Sequence, residues 1–243
     1  MDAQEKAHFR WSIRPALYFI LLIWIIKFIE VGIESDFGVY GTYPRTIHGS
    51  IGVITGPLIH GDFQHLLSNS FPILFLGIGV FYFYRSVAWQ IVSIIYLLSG
   101  FWVWLVARDA YHIGASGLAY GMMAYLLFSG LIRRDRSSIA VSMTILVLHG
   151  GSIFTGVLPG DPGVSWESHL LGAIAGLFCA VLYRKSHMYH MVGSEIEQQT
   201  MENKTDIDYN YDYVDKSKVV QTTKYYTYKV DFDETSTKDH PPK

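Results

Sequence analysis

Six apolar runs, each close to the length of a membrane crossing, constrain this sequence more than any other feature. They cover residues 15–34, 66–84, 89–107, 116–132, 139–158 and 169–183, and charged residues separate them. The hydrocarbon core of a bilayer is about 30 Å thick, and a helix needs roughly 20 apolar residues to cross it. Because backbone groups in lipid must be satisfied within the segment, such runs predict helices. The sequence therefore predicts an all-α membrane protein with a bundle of six transmembrane helices.

Lysine and arginine are distributed unevenly around these runs, which predicts the orientation. With the amino terminus in the cytoplasm, most of them lie inside and only Arg45 and Arg108 lie outside. The inner set is Lys6, Arg10, Arg14, Arg85, Arg133, Arg134, Arg136, Arg184 and Lys185. We therefore predict a multi-pass protein with both termini in the cytoplasm. A bacterial cytoplasmic (inner) membrane is favoured, because residues 1–14 resemble neither a transit peptide nor the start of a cleaved signal peptide.

The same patterns predict three segments: a cytoplasmic amino-terminal segment 1–14, a membrane domain 15–185 and a cytoplasmic tail 186–243. The tail is rich in tyrosine and acidic. Its alternation of Tyr or Val with charge favours a small hairpin, whereas its acidity and lack of a second apolar run favour disorder. Neither the tail nor the membrane part is basic enough to indicate nucleic-acid binding.

Ser116 lies at the start of an unusually short apolar run, between Gly114 and Gly117. The glycines allow a tight turn and a close approach of another backbone or a ligand. A helix that begins here directs its free N–H groups at whatever binds beside the serine. Ser116 is thus a candidate nucleophile with anion stabilisation close by. The alternative is that it serves only as a helix cap.

Glycines four residues apart recur in the fourth and sixth runs. The pairs are Gly117 with Gly121 and Gly172 with Gly176. Small residues at this spacing let two transmembrane helices pack backbone to backbone. His169 lies three and seven residues before the second pair, and hence on the same helical face. Docking the two glycine faces would bring His169 towards Ser116, where a neutral imidazole could accept the serine proton.

Tyr120 follows Ser116 by one helical turn, so its ring could pack against an imidazole from the sixth helix. Such a contact would orient the histidine without a carboxylate. Glu167 is the only acidic residue within a turn of His169, and its position places it on a different face. The pattern therefore favours a Ser-His dyad over a Ser-His-Asp triad.

His65 and Asn69 stand four residues apart, so a helix through them places both side chains on one face. Both can donate hydrogen bonds to a developing oxyanion, as acyl-transfer chemistry requires. A metal site formed by His60, His65 and His112 is the rival interpretation. The sequence disfavours it because no cysteine and no acidic ligand beyond Asp62 lie at suitable spacing. We therefore predict no metal site, and acyl transfer by a serine and a histidine requires no other cofactor.

Taken together, these motifs resemble the rhomboid intramembrane serine proteases in their six-helix bacterial form. The resemblance covers residues from about 15 to 184. It rests on the string Gly-Ala-Ser116-Gly with Tyr120, on His65-x-x-x-Asn69, and on His169-x-x-Gly172-x-x-x-Gly176. Each motif is weak alone, but the order of the three and their shared outer side make the combination specific.

The resemblance implies a role for each of these residues. Ser116 would be the nucleophile, His169 the general base and Tyr120 the ring that stacks beside the base. His65, Asn69 and the Ser116 backbone N–H would form the oxyanion hole. The protein would be a serine endopeptidase that cleaves transmembrane-helix proteins within the lipid bilayer, with its oligomeric state left open.

Some features are specific to this chain or depart from the family pattern. Ser168 stands where many members have alanine, and the Trp-Arg pair of the family's first loop is absent, with Tyr43-Pro44-Arg45 as its nearest equivalent.

The resemblance also implies that the fifth helix and the loop after it act as gate and cap over the site.

Two other functions compete with proteolysis. A catalytically silent rhomboid-like scaffold could bind transmembrane helices in membrane quality control, but it would need neither Ser116 nor His169. A small transporter or channel would require polar residues near the middle of the bilayer in several helices. In this sequence they gather at the outer ends of the runs, which favours the protease.

Overall fold

A computed structural model describes residues 3–159 and 163–186, and the tail predicted for 186–243 lies almost wholly outside them. The described residues form six helices of 17 residues or more, each of which coincides with one apolar run. They are α1 (Ala3–Gly32), α2 (Phe63–Phe83), α3 (Ala88–Val106), α4 (Ser116–Arg133), α5 (Arg136–Gly156) and α6 (Trp166–Leu182). On length and composition, α1, α2 and α3 can cross a membrane.

Helix α1 begins at Ala3, well before the apolar run that starts at residue 15, and continues through Pro15. An apolar run marks only the part of a helix that is suited to cross a membrane. Polar residues such as Glu and Lys also favour helix, so the helix is longer than its apolar run. The added turns pack against the end of α2. His8 is buried there with its Nε2 2.9 Å from the Tyr82 carbonyl oxygen, and the Arg85 guanidinium lies 4.7 Å from the centre of the Trp11 ring.

Between α1 and α2 the chain forms a series of short helical turns that dock on α3. They span Phe37–Tyr40, Ile47–Ser50, Gly52–Thr55 and Gly56–Leu58. The Arg45 backbone N–H donates to the Trp104 carbonyl at 2.8 Å, and the Trp104 indole N–H donates to the Thr46 carbonyl at 2.8 Å. A Cβ at Gly100 would lie 2.9 Å from the Val53 carbonyl oxygen, so the segment meets α3 closely.

A buried ion pair ties α1 to the segment that leads into α2. The Lys27 ammonium donates to Glu30 at 2.8 Å and also to the carbonyls of His60 at 3.0 Å and Gly61 at 2.9 Å. The other carboxylate oxygen of Glu30 accepts from the Phe37 N–H at 2.9 Å. Because both charges are paired and further hydrogen-bonded, their burial is compensated.

Helix α4 is the centre of the bundle and packs against α6 through glycines. A Cβ at Gly172 would lie 2.1 Å from the Gly117 carbonyl oxygen, and one at Gly176 would lie 2.0 Å from that of Gly121. Real side chains do not fit at such distances, so the two backbones are in contact. This contact fixes the register of α4 on α6, and with it the relative height of their first turns.

Candidate active site

Ser116 is the first residue of α4, and the residue in the cap position is Ala115. The alternative that Ser116 serves only as a helix cap is therefore wrong. Gly114 precedes it with φ +102°, a left-handed conformation that glycine adopts without strain. A Cβ at Gly114 would also lie 2.7 Å from the His65 ring, so only glycine fits this turn. The half-buried Ser116 side chain lines a cavity of about 770 Å³.

His169 lies in the first turn of α6 and is held from two sides. Its Nδ1 is 2.8 Å from the Gly156 carbonyl oxygen at the end of α5. A carbonyl only accepts, so Nδ1 carries the proton and the neutral ring has its lone pair on Nε2. The Tyr120 ring stacks on the imidazole with centroids 4.2 Å apart and planes 6° from parallel. Both contacts limit rotation of the ring and leave Nε2 able to accept a proton.

Gly156 is a site residue that reasoning from the sequence does not identify. A Cβ at this position would lie 1.7 Å from the Tyr120 hydroxyl oxygen and 2.6 Å from Cζ. Glycine is therefore required for the end of α5 to approach both Tyr120 and His169. Its contribution is a backbone carbonyl, which a search for reactive side chains does not detect.

His65 and Asn69 lie on one face of the first two turns of α2 and line the same cavity as Ser116. The Asn69 amide donates to the His65 carbonyl at 3.2 Å. Helix α2 is capped by Asp62, whose carboxylate accepts from the His65 backbone N–H at 2.7 Å, and this hydrogen bond lowers the pKa of Asp62. The cap fixes the start of the helix, and thus the position of both side chains beside Gly114.

His60 supports the turn before Ser116. It is buried, and its Nε2 accepts a hydrogen bond from the Ala115 N–H at 3.3 Å. Burial lowers the pKa of His60 to about 4, so the ring stays neutral and able to accept at neutral pH. Among the residues that the structure describes, no three His, Cys, Asp or Glu side chains converge to hold a metal ion.

Glu167 forms an ion pair with Arg108 at 3.4 Å. The hydrogen bond from His169 Nδ1 goes to the Gly156 carbonyl, where a triad would have a carboxylate. Among the described residues, the His169 ring is therefore oriented by a backbone carbonyl and an aromatic ring.

If the site has the protease activity that the resemblance implies, Tyr120→Ala should lower kcat by up to about tenfold, because an aromatic pair is worth about 0.5–1.5 kcal/mol. The variant loses the ring that restrains His169. Tyr120→Phe keeps this ring and should retain most of the wild-type rate. Steady-state cleavage of a transmembrane substrate compares the three proteins. Equal losses in both variants would show that the phenol oxygen, and not the stacked ring, is important.

Comparison with known proteins decides the family. The family model of the Rhomboid domain matches residues 48–186, which is more than half of the chain. The chain belongs to the rhomboid family. The match includes α2 to α6 and every candidate site residue, whereas α1 precedes it. This membership, together with the apolar helices, identifies an integral membrane protein.

The chain is also similar to individual proteins, one of which is named RHOMBOID-like. An uncharacterised protein of Mycobacterium tuberculosis is 35% identical over 184 residues, which is 71% of this chain and 76% of the relative. An uncharacterised protein of Mycobacterium leprae is 28% identical over 192 residues, covering 74% of this chain and 76% of the relative. A RHOMBOID-like protein of Arabidopsis thaliana is 28% identical over 124 residues, covering 49% of this chain and 30% of the relative.

Proposed function

We propose that this rhomboid is an intramembrane serine endopeptidase that uses Ser116 and His169 as a dyad. The orientation of His169 carries the proposal. Its Nδ1 proton is directed to the Gly156 carbonyl, which leaves the Nε2 lone pair for the cavity that Ser116 also lines. A buried histidine with only a structural role would more often have both nitrogens engaged.

The reaction would be acyl transfer in two stages. Ser116 Oγ attacks the scissile carbonyl carbon while His169 Nε2 takes the hydroxyl proton. His65, Asn69 and the Ser116 N–H stabilise the oxyanion. The C–N bond then breaks, and the imidazolium gives its proton to the leaving amine. A water molecule, deprotonated by the same nitrogen, then attacks the acyl carbon. The C–Oγ ester bond breaks, Ser116 Oγ takes the proton back from the imidazolium, and the new carboxyl terminus leaves.

The substrates would be transmembrane-helix proteins that enter the bundle from the lipid. In this proposal all six helices cross a bacterial inner membrane, both termini lie in the cytoplasm, and the site opens near the outer surface. The target bond lies in a helix whose backbone groups are satisfied internally, so its first turn must unwind. Small or helix-breaking residues reduce that cost. We therefore expect Ala, Ser or Gly at the scissile bond to be cleaved faster than bulky residues.

Labelling with a fluorophosphonate tests the proposal directly. We expect purified full-length protein in detergent to react at one serine, and Ser116→Ala and His169→Ala to lose the label. His48→Ala is a matched control, because that exposed histidine lies outside the cavity. A wild-type protein that binds transmembrane helices but takes up no label would instead support the silent scaffold.

We expect Asn69→Ala to lower kcat about 10²-fold with little change in KM, because loss of one oxyanion donor typically costs 10²–10³-fold. The donor acts on charge that develops in the transition state, so binding of the ground state is largely spared. Initial rates over a range of substrate concentrations separate the two constants. A higher KM at unchanged kcat would instead assign Asn69 to substrate binding.

A further inference from the structure

A chain of hydrogen bonds connects His112, before α4, to the start of α6. His112 Nε2 lies 3.1 Å from the Arg108 carbonyl oxygen, and Nδ1 lies 2.6 Å from the Ser165 hydroxyl. The Ser165 hydroxyl lies 2.6 Å from that of Ser168 and accepts from the Ser168 N–H at 3.3 Å. Proteolysis as proposed above uses none of these three side chains.

The donors and acceptors fix the direction of this chain. The Arg108 carbonyl only accepts, so His112 Nε2 carries the ring proton and Nδ1 accepts from the Ser165 hydroxyl. The Ser165 hydroxyl hydrogen is then used in the bond to His112, so the Ser165 oxygen accepts hydrogen bonds from both the hydroxyl and the N–H of Ser168. Burial lowers the pKa of His112, which favours the neutral ring that this order requires. Arg108 and Glu167 are the charged groups that influence it.

His112 also joins a third segment through its backbone. Its N–H donates to the Thr42 carbonyl at 2.9 Å, and its carbonyl accepts from the Thr42 N–H at 3.0 Å. The Arg108 guanidinium donates to the Val164 carbonyl at 2.9 Å, next to Ser165. The side chain of His112 is therefore held in a buried position where three segments meet.

The two connected segments are those that present the candidate nucleophile and base. His112 precedes Ser116 by four residues, and Ser165, the cap of α6, precedes His169 by four. The chains also approach between these points, because a Cβ at Gly117 would lie 3.1 Å from the Ser168 carbonyl oxygen. Glycine packing sets how far apart α4 and α6 lie, and the side-chain link restrains how their first turns shift along each other.

We propose that His112 is a positioning residue that, through Ser165, holds the first turn of α6 in register with the Ser116 turn. The inference rests on the proposed dyad and extends it. His112 uses both ring nitrogens on Arg108 and Ser165, so it acts through these partners and not on the substrate. Ser168, where many family members have alanine, completes the link in this chain.

The test compares His112→Ala, Ser165→Ala and their double variant with His48→Ala, an exposed histidine, and Ser50→Ala, an exposed serine whose hydroxyl donates only locally, to the Ile47 carbonyl. Misplacing a reacting group by about 1 Å costs up to 10²-fold, so we expect kcat and the fluorophosphonate rate to fall by about 10–100-fold. His112 and Ser165 are two of the residues that line the cavity, and the others are unchanged in these variants, so KM should stay within about twofold. The controls should react at the wild-type rate.

Two further results distinguish positioning from general destabilisation. Because both single changes break the same link, the double variant should be no slower than the slower single variant. His112→Asn, whose side-chain oxygen can accept from Ser165, should recover much of the lost rate. Multiplicative losses, a change confined to KM, or a His112→Ala rate equal to wild type would overturn the proposal. If His112→Ala does not fold, the rates of His112→Asn and Ser165→Ala test the proposal.

A spectroscopic measurement separates this proposal from the dyad itself. The imidazole ¹⁵N signals of His112, assigned by their loss in His112→Asn, should show a protonated Nε2 and an accepting Nδ1 whose shift changes in Ser165→Ala. This result does not require activity. Absence of fluorophosphonate labelling in the wild type would refute the dyad, whereas a protonated Nδ1 in His112 would refute the link.

Discussion

Ser116→Ala and His169→Ala should each reduce cleavage of a transmembrane substrate by at least about 10³-fold, because nucleophile and base act as one unit in acyl transfer. Alanine at 116 removes the attacking oxygen. Alanine at 169 removes the proton acceptor and leaves the Gly156 carbonyl without its donor. Initial rates in proteoliposomes, measured at the same protein concentration, give the comparison. The double variant should be no slower than either single variant.

The thermal unfolding midpoints of these variants provide the control. Ser116 has no capping role in α4, so Ser116→Ala should unfold close to the wild-type temperature. His169→Ala should unfold at a somewhat lower temperature, because it loses the hydrogen bond to Gly156 and the stacking on Tyr120. Cleavage that persists in pure, folded Ser116→Ala would exclude Ser116 as the nucleophile and with it the proposed mechanism.

Gly176→Ala should destabilise the protein by about 3 kcal/mol, because overpacking costs 1–3 kcal/mol and the upper end of this range applies where backbone meets backbone. The added Cβ would lie 2.0 Å from the Gly121 carbonyl oxygen and 3.0 Å from the Tyr125 backbone nitrogen. Backbone atoms cannot turn away as a flexible side chain can, so α6 must separate from α4. Thermal or denaturant unfolding in detergent measures the effect, and the yield of folded protein should fall in parallel.

Gly32→Ala is the matched control for this change. It makes the same substitution at the end of another helix, where a Cβ would meet nothing within 4 Å. We expect an unfolding midpoint equal to that of the wild type or slightly higher, because alanine favours helix over glycine. Comparable midpoints for Gly176→Ala and Gly32→Ala would mean that the close contact between α4 and α6 does not exist in the folded protein.

Features that depend on local pattern could be predicted from the sequence. The apolar runs lie close to the helix bounds except at α1, where polar turns extend the helix to Ala3. The spacing of Gly172 and Gly176 indicated a packing face, and the structure has both glycines against α4. The spacing of Tyr120 from Ser116 likewise suggested the face on which its ring lies.

Features that depend on contacts between distant segments could not be predicted. Gly156 orients His169 through a backbone carbonyl, which has no counterpart in a pattern of side chains. The sequence pattern offers His60 and His112 only as rival metal ligands, yet His60 accepts from the Ala115 N–H and His112 is hydrogen-bonded to Ser165. In each case the partner is brought near by tertiary packing. A sequence without aligned relatives carries no record of such pairs.

The buried ion pair of Lys27 and Glu30 has a practical consequence for expressing parts of this protein. The family match begins at residue 48, whereas Lys27 on α1 donates to the carbonyls of His60 and Gly61 within the matched region. A fragment cut at residue 48 would leave both oxygens without this donor and expose the α2 surface that α1 covers. A fragment chosen for expression should therefore include α1 as well as the matched region.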